Sequence, residues 1–410
     1  MPGLDGPWNS KSGEQRSRRM SRVRGFFCIF SADLLVRVAY QMGKTPLLPI
    51  FAATLGATDL FLGLIVSVST VTGMVLKPFI GIFSDRWGRR SWLLIGTTFF
   101  AVMPFAYRFV QTPGQLLFVR IVHGLATAIY GPVTLAYVVE LSRHRRAERL
   151  AWFGLPRSAG YVAGPIVAGW LLLLLEPATV FTVIGVVSSL AFLPILLLPP
   201  PPYKEKRSLP PLVRHTFSAF YAGSRTLAVW LAGGVEAALY VALYAVKAFL
   251  PIHALTLGVN VAMVGTFFGL QEGTHMLLNP LGGRMGDRFG YRCTIGLGMV
   301  VVGITLLLLT LTGRSFMLMG LAFLMGVAQA LVLPSTVALV STRIEEQYLG
   351  AGMGLIGTLR NAGKVVGPTG AGLLIRWLEF TVTFRLLGVI LLLGTAFAWL
   401  FISQQQKTRR

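Results

Sequence analysis

Apolar runs of about 20 residues recur along the whole chain, each interrupted by a few polar positions three or four residues apart. A run of that length crosses roughly 30 Å of hydrocarbon when wound as a helix rising 1.5 Å per residue. Twelve runs are legible, roughly at 25–49, 58–80, 91–110, 115–138, 151–174, 178–199, 228–251, 260–282, 294–312, 316–340, 350–375 and 381–403. The polar positions inside them form stripes. Span 1 carries Asp33, Arg37, Tyr40 and Lys44, at steps of 4, 3 and 4, which is one face of a helix. Span 4 carries Arg120, His123, Thr127, Tyr130, Thr134 and Tyr137, and span 7 carries Glu236, Tyr240, Tyr244 and Lys247. Span 8 adds Gln271, Glu272, His275 and Asn279, and span 11 adds Arg360, Asn361 and Lys364, while span 10 offers only Gln329, Ser335 and Thr336. In hydrocarbon such residues must face one another or a water-filled cavity. The pattern predicts an all-α, polytopic membrane protein with a polar pathway between its helices.

The pattern is also written twice. Residues 48–90 and 250–292 align without a gap at an offset of 202, with 17 of 43 positions identical, among them Gly56/Gly258, Gly63/Gly265, Pro78/Pro280 and Asp85/Asp287. Pro132-Val-Thr-Leu-Ala136 repeats as Pro334-Ser-Thr-Val-Ala338. Arg157-x-x-Gly160-x-x-x-Gly164-Pro165 repeats as Arg360-x-x-Gly363-x-x-x-Gly367-Pro368 at offset 203. Pro199 to Pro202 end span 6 and open a charged, proline-broken stretch. The expected organisation is a cytoplasmic tail (1–24), a six-helix half (25–199), a cytoplasmic linker (200–225), a second six-helix half (226–403) and a short tail (404–410). With an even number of spans in each, the two pseudo-symmetric bundles share one orientation.

Composition narrows the picture. Hydrophobic residues make up 54% of the chain and charged ones 13%, about half the charge of an ordinary soluble domain, and mean hydropathy is +0.69. The net charge of +22 would suggest nucleic acid in a soluble protein. Here the lysines and arginines gather in the N-terminal tail, in 86–90, 142–149 and 204–207, and in the C-terminal tail, whereas the loops after spans 1 and 7 carry none. That is the positive-inside arrangement, which places both termini in the cytoplasm and excludes nucleic acid as a partner. The first apolar stretch is too long and too charged, with Asp33 and Arg37, to be a cleaved signal peptide.

Gly81-x-x-x-Asp85-Arg86-x-Gly88-Arg89-Arg90 lies between spans 2 and 3, and Gly283-x-x-Gly286-Asp287-Arg288-x-Gly290-x-Arg292 lies between spans 8 and 9. A carboxylate among cytoplasmic arginines can cap a neighbouring helix and accept charge-assisted hydrogen bonds. With this motif at both topological positions, the chain closely resembles the major facilitator superfamily over essentially its whole length. The resemblance implies a latch that holds the two halves together on the cytoplasmic side in the outward-facing state. It would be built on Gly81, Asp85, Arg86, Gly88 and Arg89, with Glu140 as acidic partner and Asp287, Arg288 and Gly290 as the second copy. That copy lacks the acid, because Thr342 stands where Glu140 repeats. Pro46-Leu-Leu-Pro49, Arg120-x-x-x-Gly124 and Gly160-x-x-x-Gly164-Pro165 look like motifs of the superfamily's twelve-span drug/proton antiporters. GxxxGP permits close helix contact and a bend, so Gly160, Gly164 and Pro165, with Gly363, Gly367 and Pro368, read as packing or hinge positions.

Asp33, about eight residues into span 1, is the first choice for a proton-carrying carboxylate, with Glu236 and Glu272 behind it and Arg120 as a competing cation. Arg37, Tyr40, Lys44, the polar face of span 4, Tyr240, Tyr244, Lys247, Gln271, His275, Gln329, Arg360 and Asn361 are candidates for the substrate cavity. The histidines are too scattered for a metal set, no nucleophile–base constellation is present, and Gly363-Lys364 lacks the spacing and the Ser/Thr of a phosphate loop. The expectation is therefore a monomeric, non-enzymatic, cofactor-free transporter of the plasma membrane that exports a small amphipathic compound in exchange for protons among membrane lipids. The alternatives are a symporter or uniporter for a sugar or other polar solute, and a flippase or receptor for lipid-like molecules.

Overall fold

The computed structural model describes residues 8–141, 146–198, 226–311 and 313–407. The predicted linker, and the outermost residues of both tails, lie outside them. Every regular element among the described residues is helical, a short 3-10 turn at Tyr107–Phe109 and the α-helices. In chain order these are α1 (Trp8–Met42), α2 (Leu47–Thr54), α3 (Asp59–Trp87), α4 (Arg89–Ala106), α5 (Pro113–Leu141), α6 (Arg146–Leu171), α7 (Pro177–Ser189) and α8 (Phe192–Leu196). Then follow α9 (Leu227–Thr256), α10 (Val261–Phe289), α11 (Tyr291–Leu309), α12 (Ser315–Ser341) and α13 (Glu346–Lys407).

The breaks have local causes. Pro46 has no N–H to donate and disfavours helix in the residue before it, so span 1 turns after Met42 and restarts at Leu47. Span 6 divides into α7 and α8 because Pro194 cannot donate to the Leu190 carbonyl. The N–H of Leu193 takes that oxygen instead, at 3.2 Å. Within α13 the backbone leaves the helical region at Glu379 (φ 60°, ψ 170°), between the stretches predicted as spans 11 and 12.

Both copies of the repeat reverse direction through a glycine that no other residue replaces well. Gly88 joins α3 to α4 at φ 88°, and Gly290 joins α10 to α11 at φ 89°. No neighbouring atom would meet a Cβ at either site, so the penalty for a side chain is one of backbone conformation alone. Gly290→Val is expected to lower stability by about 1–3 kcal/mol, measurable as a drop in the thermal unfolding midpoint of the purified protein. An unchanged midpoint would refute this reading of the turn.

Among the described residues, eight helical stretches are long and apolar enough to cross a membrane, one of them, Tyr348–Trp399, running through both limbs of α13. The other long helices, α1, α6 and α10, hold polar residues at mid-depth: Asp33 and Arg37, Arg157, and Gln271, Glu272 and His275. Around the perimeter, large apolar side chains such as Phe118, Leu174, Phe316 and Trp377 are exposed, which suits hydrocarbon and not water.

Helix packing repeats with the sequence. α6 lies along α1 and α3 along α5, while α13 lies along α9 and α10 along α12. The most extensive contacts joining these sets are α3 with α13 and α6 with α10. In the first, Gly63 meets the backbone carbonyl of Pro368, and in the second, Gly265 meets that of Pro165. Gly63 repeats as Gly265 and Pro165 as Pro368, so one contact is made twice about a pseudo-twofold axis.

The apolar core is uneven along that axis. At the end opposite the chain termini a single cluster draws on both sets, with Leu47, Leu48 and Phe51 beside Leu243, Phe249 and Leu250. Toward the end bearing the termini the core separates. Ile29, Leu93, Val133 and Ile195 form one cluster, and Val229, Val340, Leu355 and Ile356 form another. The bundle is sealed at its far end and divided at its terminal end.

Candidate functional site

A cavity of about 230 Å³, partly open to solvent, lies between the two sets, at the small end of the pockets that take organic ligands. Steps of three and four residues bring each helix's polar stripe to its wall. α1 supplies Arg37, Tyr40, Gln41 and Lys44; α3 supplies Ser69, Thr70, Gly73 and Lys77; α5 supplies Thr127 and Tyr130. Arg157 and Tyr161 come from α6, Tyr244 from α9, and Asn361 and Lys364 from α13. The stripe of α1 is held against α6 by small residues. Gly160 meets the backbone of Arg37, and a Cβ on Gly164 would come within 2.9 Å of the Met42 nitrogen. Gly363 and Gly367 bring α13 equally close to Ala237 and Val241 of α9. GxxxGP thus performs the same close packing in both copies.

Of the cavity residues predicted from spacing, Arg37, Tyr40, Lys44, Thr127, Tyr130, Tyr244 and Asn361 line the wall. Others lie behind it. His123 is buried among the rings of Tyr40, Phe100 and Tyr107, with Nδ1 at 3.1 Å from the Tyr107 hydroxyl. Thr134 donates to the Tyr130 carbonyl at 2.7 Å, Tyr137 is packed in the terminal-end core, and Gln271 and Gln329 are buried. Arg120, 1% exposed, donates to Ser69 Oγ at 2.6 Å and to the Tyr107 hydroxyl at 3.4 Å. It meets hydroxyls and no carboxylate among the described residues, whereas the sequence reading set it beside an acid.

The three carboxylates on the polar stripes are each paired. Asp33 Oδ2 accepts from Arg37 Nε at 2.5 Å, while its Oδ1 is buried without a hydrogen-bond partner among the described residues. Glu236 accepts from Arg360 Nε at 2.6 Å and from Thr336 Oγ1 at 2.6 Å. Glu272 accepts from Lys247 Nζ at 2.8 Å and lies 3.6 Å from His275 Nδ1. The repeat arithmetic extends here: Asp33 and Glu236, Lys44 and Lys247, and Arg157 and Arg360 each stand 203 residues apart. Tyr240 and Tyr244 have ring centroids 5.9 Å apart, and Arg360 lies over Tyr240 at 5.7 Å.

The Glu236–Arg360 pair is asymmetric, because Glu236 has no exposure while the Arg360 side chain keeps 30%. Arg360→Leu leaves a charge in the interior and is expected to cost about 3–5 kcal/mol. Glu236→Gln leaves an Arg360 that keeps part of its side chain exposed and is expected to cost less, about 1–3 kcal/mol. Thermal unfolding of the two purified variants compares them, and equal losses would contradict the assignment.

At the terminal end, Arg89 Nη1 contacts Glu140 Oε1 at 3.0 Å and the Ala136 carbonyl at 2.5 Å, joining α4 to α5 inside one set. The side chains of Asp85 and Arg86 lie outside the described residues. Gly81 faces open space. In the second copy, Asp287 accepts from the Tyr291 hydroxyl at 2.8 Å, and Arg288 lies 5.4 Å from the Phe289 ring.

Lys77, Arg157 and Tyr161 are wall residues that no stripe announces, and Lys364 stands on the stripe of span 11 but not among the cavity candidates. The signal for Lys77 was a lone lysine inside an apolar span. For Arg157 it was the repeat, which equates it with Arg360.

Known proteins give the same outline. The multidrug resistance protein MdtG of Serratia proteamaculans is 23% identical over 398 residues, covering 94% of this chain and 95% of its own. An uncharacterized MFS-type transporter of Methanocaldococcus jannaschii is 25% identical over 334 residues, 80% of this chain and 86% of its own. The quinolone resistance protein NorA of Staphylococcus aureus matches at 25% over 127 residues, 31% of this chain and 33% of its own. Among solved structures, the nucleoside transporter NupG has a TM-score of 0.78 at 13% identity, covering 92% of this chain and 98% of that one, which is a likeness of fold. The sequence model of the Major Facilitator Superfamily matches residues 26–270 and again 234–410. With a duplicated helical unit, a cavity between its copies and a family match from end to end, the chain belongs to the Major Facilitator Superfamily of multi-pass membrane transporters, a non-enzymatic class with drug/proton antiporter-like members.

Proposed function

We propose that this transporter exports small amphipathic compounds in exchange for protons, by rocking two six-helix halves about the central cavity as a monomer in the plasma membrane. The observation that carries the reading is the Asp33–Arg37 pair. A fully buried carboxylate with one oxygen left over sits one helical turn behind an arginine that lines the cavity. A proton arriving on Asp33 weakens its hold on Arg37, and an Arg37 released toward the cavity changes how substrate is bound. Proton and substrate are thereby linked through one side chain. MdtG and NorA, whose names denote drug resistance, support export as the direction.

In this reading the terminal end faces the cytoplasm and the cavity is open toward it. The tight glycine–carbonyl contacts at the far end separate when the halves rock, and Asp85, Arg89 and Glu140 then latch the cytoplasmic side. Arg120 anchors α5 to α3 through Ser69, beside the cavity and outside the proton path.

Everted membrane vesicles holding an acid interior, followed with a pH-sensitive dye, test the reading. Lipophilic cations, organic anions, neutral drugs and sugars are added in turn. A compound that dissipates the gradient only when the protein is present is the expected result. Transport of a compound with the gradient untouched would replace the antiporter by a facilitator.

A further inference from the structure

The charges on the cavity wall do not balance. Arg37, Lys44, Lys77, Arg157 and Lys364 line it, and no carboxylate does. The acids nearest to it are engaged elsewhere, Asp33 with Arg37, Glu236 with Arg360 and Glu272 with Lys247. Among the described residues Lys44, Lys77, Arg157 and Lys364 therefore have no carboxylate partner. The repeat shows where the imbalance arises. Lys247 is matched by Glu272, and the position equivalent to Glu272 in the first copy is Thr70, itself on the cavity wall. Lys44, the counterpart of Lys247, is left without an acid.

From this we infer that the substrate is an amphipathic organic anion, an aromatic or apolar body bearing a carboxylate, sulfonate or phosphate group; the inference rests on reading the cavity as the substrate site. Cations held in a medium of low dielectric constant need an opposite charge, and the wall provides none. Tyrosine rings hold two of the lysines without neutralising them: Lys44 Nζ is 5.0 Å from the Tyr244 ring, and Lys364 Nζ is 4.9 Å from that of Tyr240. Phe100, Tyr130 and Tyr161 supply aromatic surface for the body of the ligand. Lys77 and Arg157 are exposed toward the terminal end, where they meet an anion first, and Arg157 offers a two-pronged donor to a planar anionic group. A lipophilic cation entering the same space finds four basic side chains and no free acid.

Two dyes built on one xanthene ring separate the possibilities, the anion carboxyfluorescein and the cation rhodamine methyl ester. Binding to the purified full-length protein is followed by fluorescence anisotropy, and movement by uptake into proteoliposomes with and without a pH gradient. Carboxyfluorescein is expected to bind at least about tenfold more tightly than the rhodamine, and Lys77→Gln and Lys364→Gln to weaken it by about tenfold each. Lys77→Arg and Lys364→Arg should restore binding, which separates loss of charge from loss of folding. Equal or tighter binding of the rhodamine, or binding of neither dye above the Lys77→Gln, Lys364→Gln double variant, overturns the inference. Rhodamine carried by the gradient sinks the anion assignment and leaves proton-coupled export standing. Anion binding with gradient-independent uptake does the reverse.

Discussion

Replacing Asp33 by Asn is expected to reduce gradient-driven accumulation of substrate to background while leaving a folded protein that still exchanges substrate across the membrane without a gradient. Asn has nearly the shape of Asp and cannot take up a proton, so the change removes the exchangeable group and little else. Positioned proton-transfer groups are worth roughly 10²–10⁴ in rate where the step depends on them, and the coupled flux should fall on that scale. The fold should survive because the partner left behind is not sealed in. The Arg37 side chain is 22% exposed and lines the cavity, so water replaces the lost carboxylate. Accumulation and exchange are measured separately in proteoliposomes. Equal loss of both would make Asp33 a structural partner of Arg37 and remove it from the proton path. The same substitution at Glu236 or Glu272 is the natural comparison, since each also neutralises a paired acid but lies in the second copy.

The second large effect is conformational. Gly265→Leu is expected to shift the protein from the far-end-sealed form toward one open at that end. A Cβ at Gly265 would collide with the Pro165 carbonyl and lie 3.0 Å from Gly169 Cα, and these atoms are backbone, with no side chain to swing aside. Overpacking of this kind costs about 1–3 kcal/mol. The cost falls only on the arrangement in which α6 and α10 touch, so it moves the equilibrium between forms by about tenfold or more. The readout is a cysteine at Leu48, buried in the shared far-end core, labelled by a membrane-impermeant maleimide from the outer side. Labelling should rise about tenfold over the Leu48→Cys parent. Gly296→Leu serves as control, because nothing lies within 4 Å of a Cβ there. Unchanged labelling in Gly265→Leu would mean that this contact does not govern closure. Gly63→Leu, its repeat counterpart against Pro368, should act alike.

The stripes were legible because helical spacing needs only the sequence. Asp33, Arg37, Tyr40 and Lys44 at steps of 4, 3 and 4 had to share a face, and in the structure the last three look into one cavity. What spacing could not give was depth and facing partner. Lys77 and Arg157 are single charges in α3 and α6, without a stripe to announce them, and they reach the wall only because α3 meets α13 and α6 meets α10 between the halves. Gly63, Gly265, Pro165 and Pro368 encode those meetings. Their duplication was visible in the repeat, but which glycine faces which carbonyl is a property of the assembled bundle. Arg120 shows the opposite failure. Its place on a polar stripe suggests an acid nearby, whereas the packing of α5 on α3 supplies the Ser69 hydroxyl and the turn after α4 supplies that of Tyr107. The division of span 6 at Leu190 also escaped hydropathy, since Pro194 lies four residues further on within an unbroken apolar run.

The central claim, exchange of substrate for protons through one cavity, is tested most directly in proteoliposomes of the purified protein with a reversible pH gradient. For exchange of one proton per substrate, accumulation should reach about tenfold per pH unit toward the acid side, and should reverse direction when the gradient is inverted. Substrate that equilibrates to the same concentration on both sides, whatever the gradient, would contradict the account.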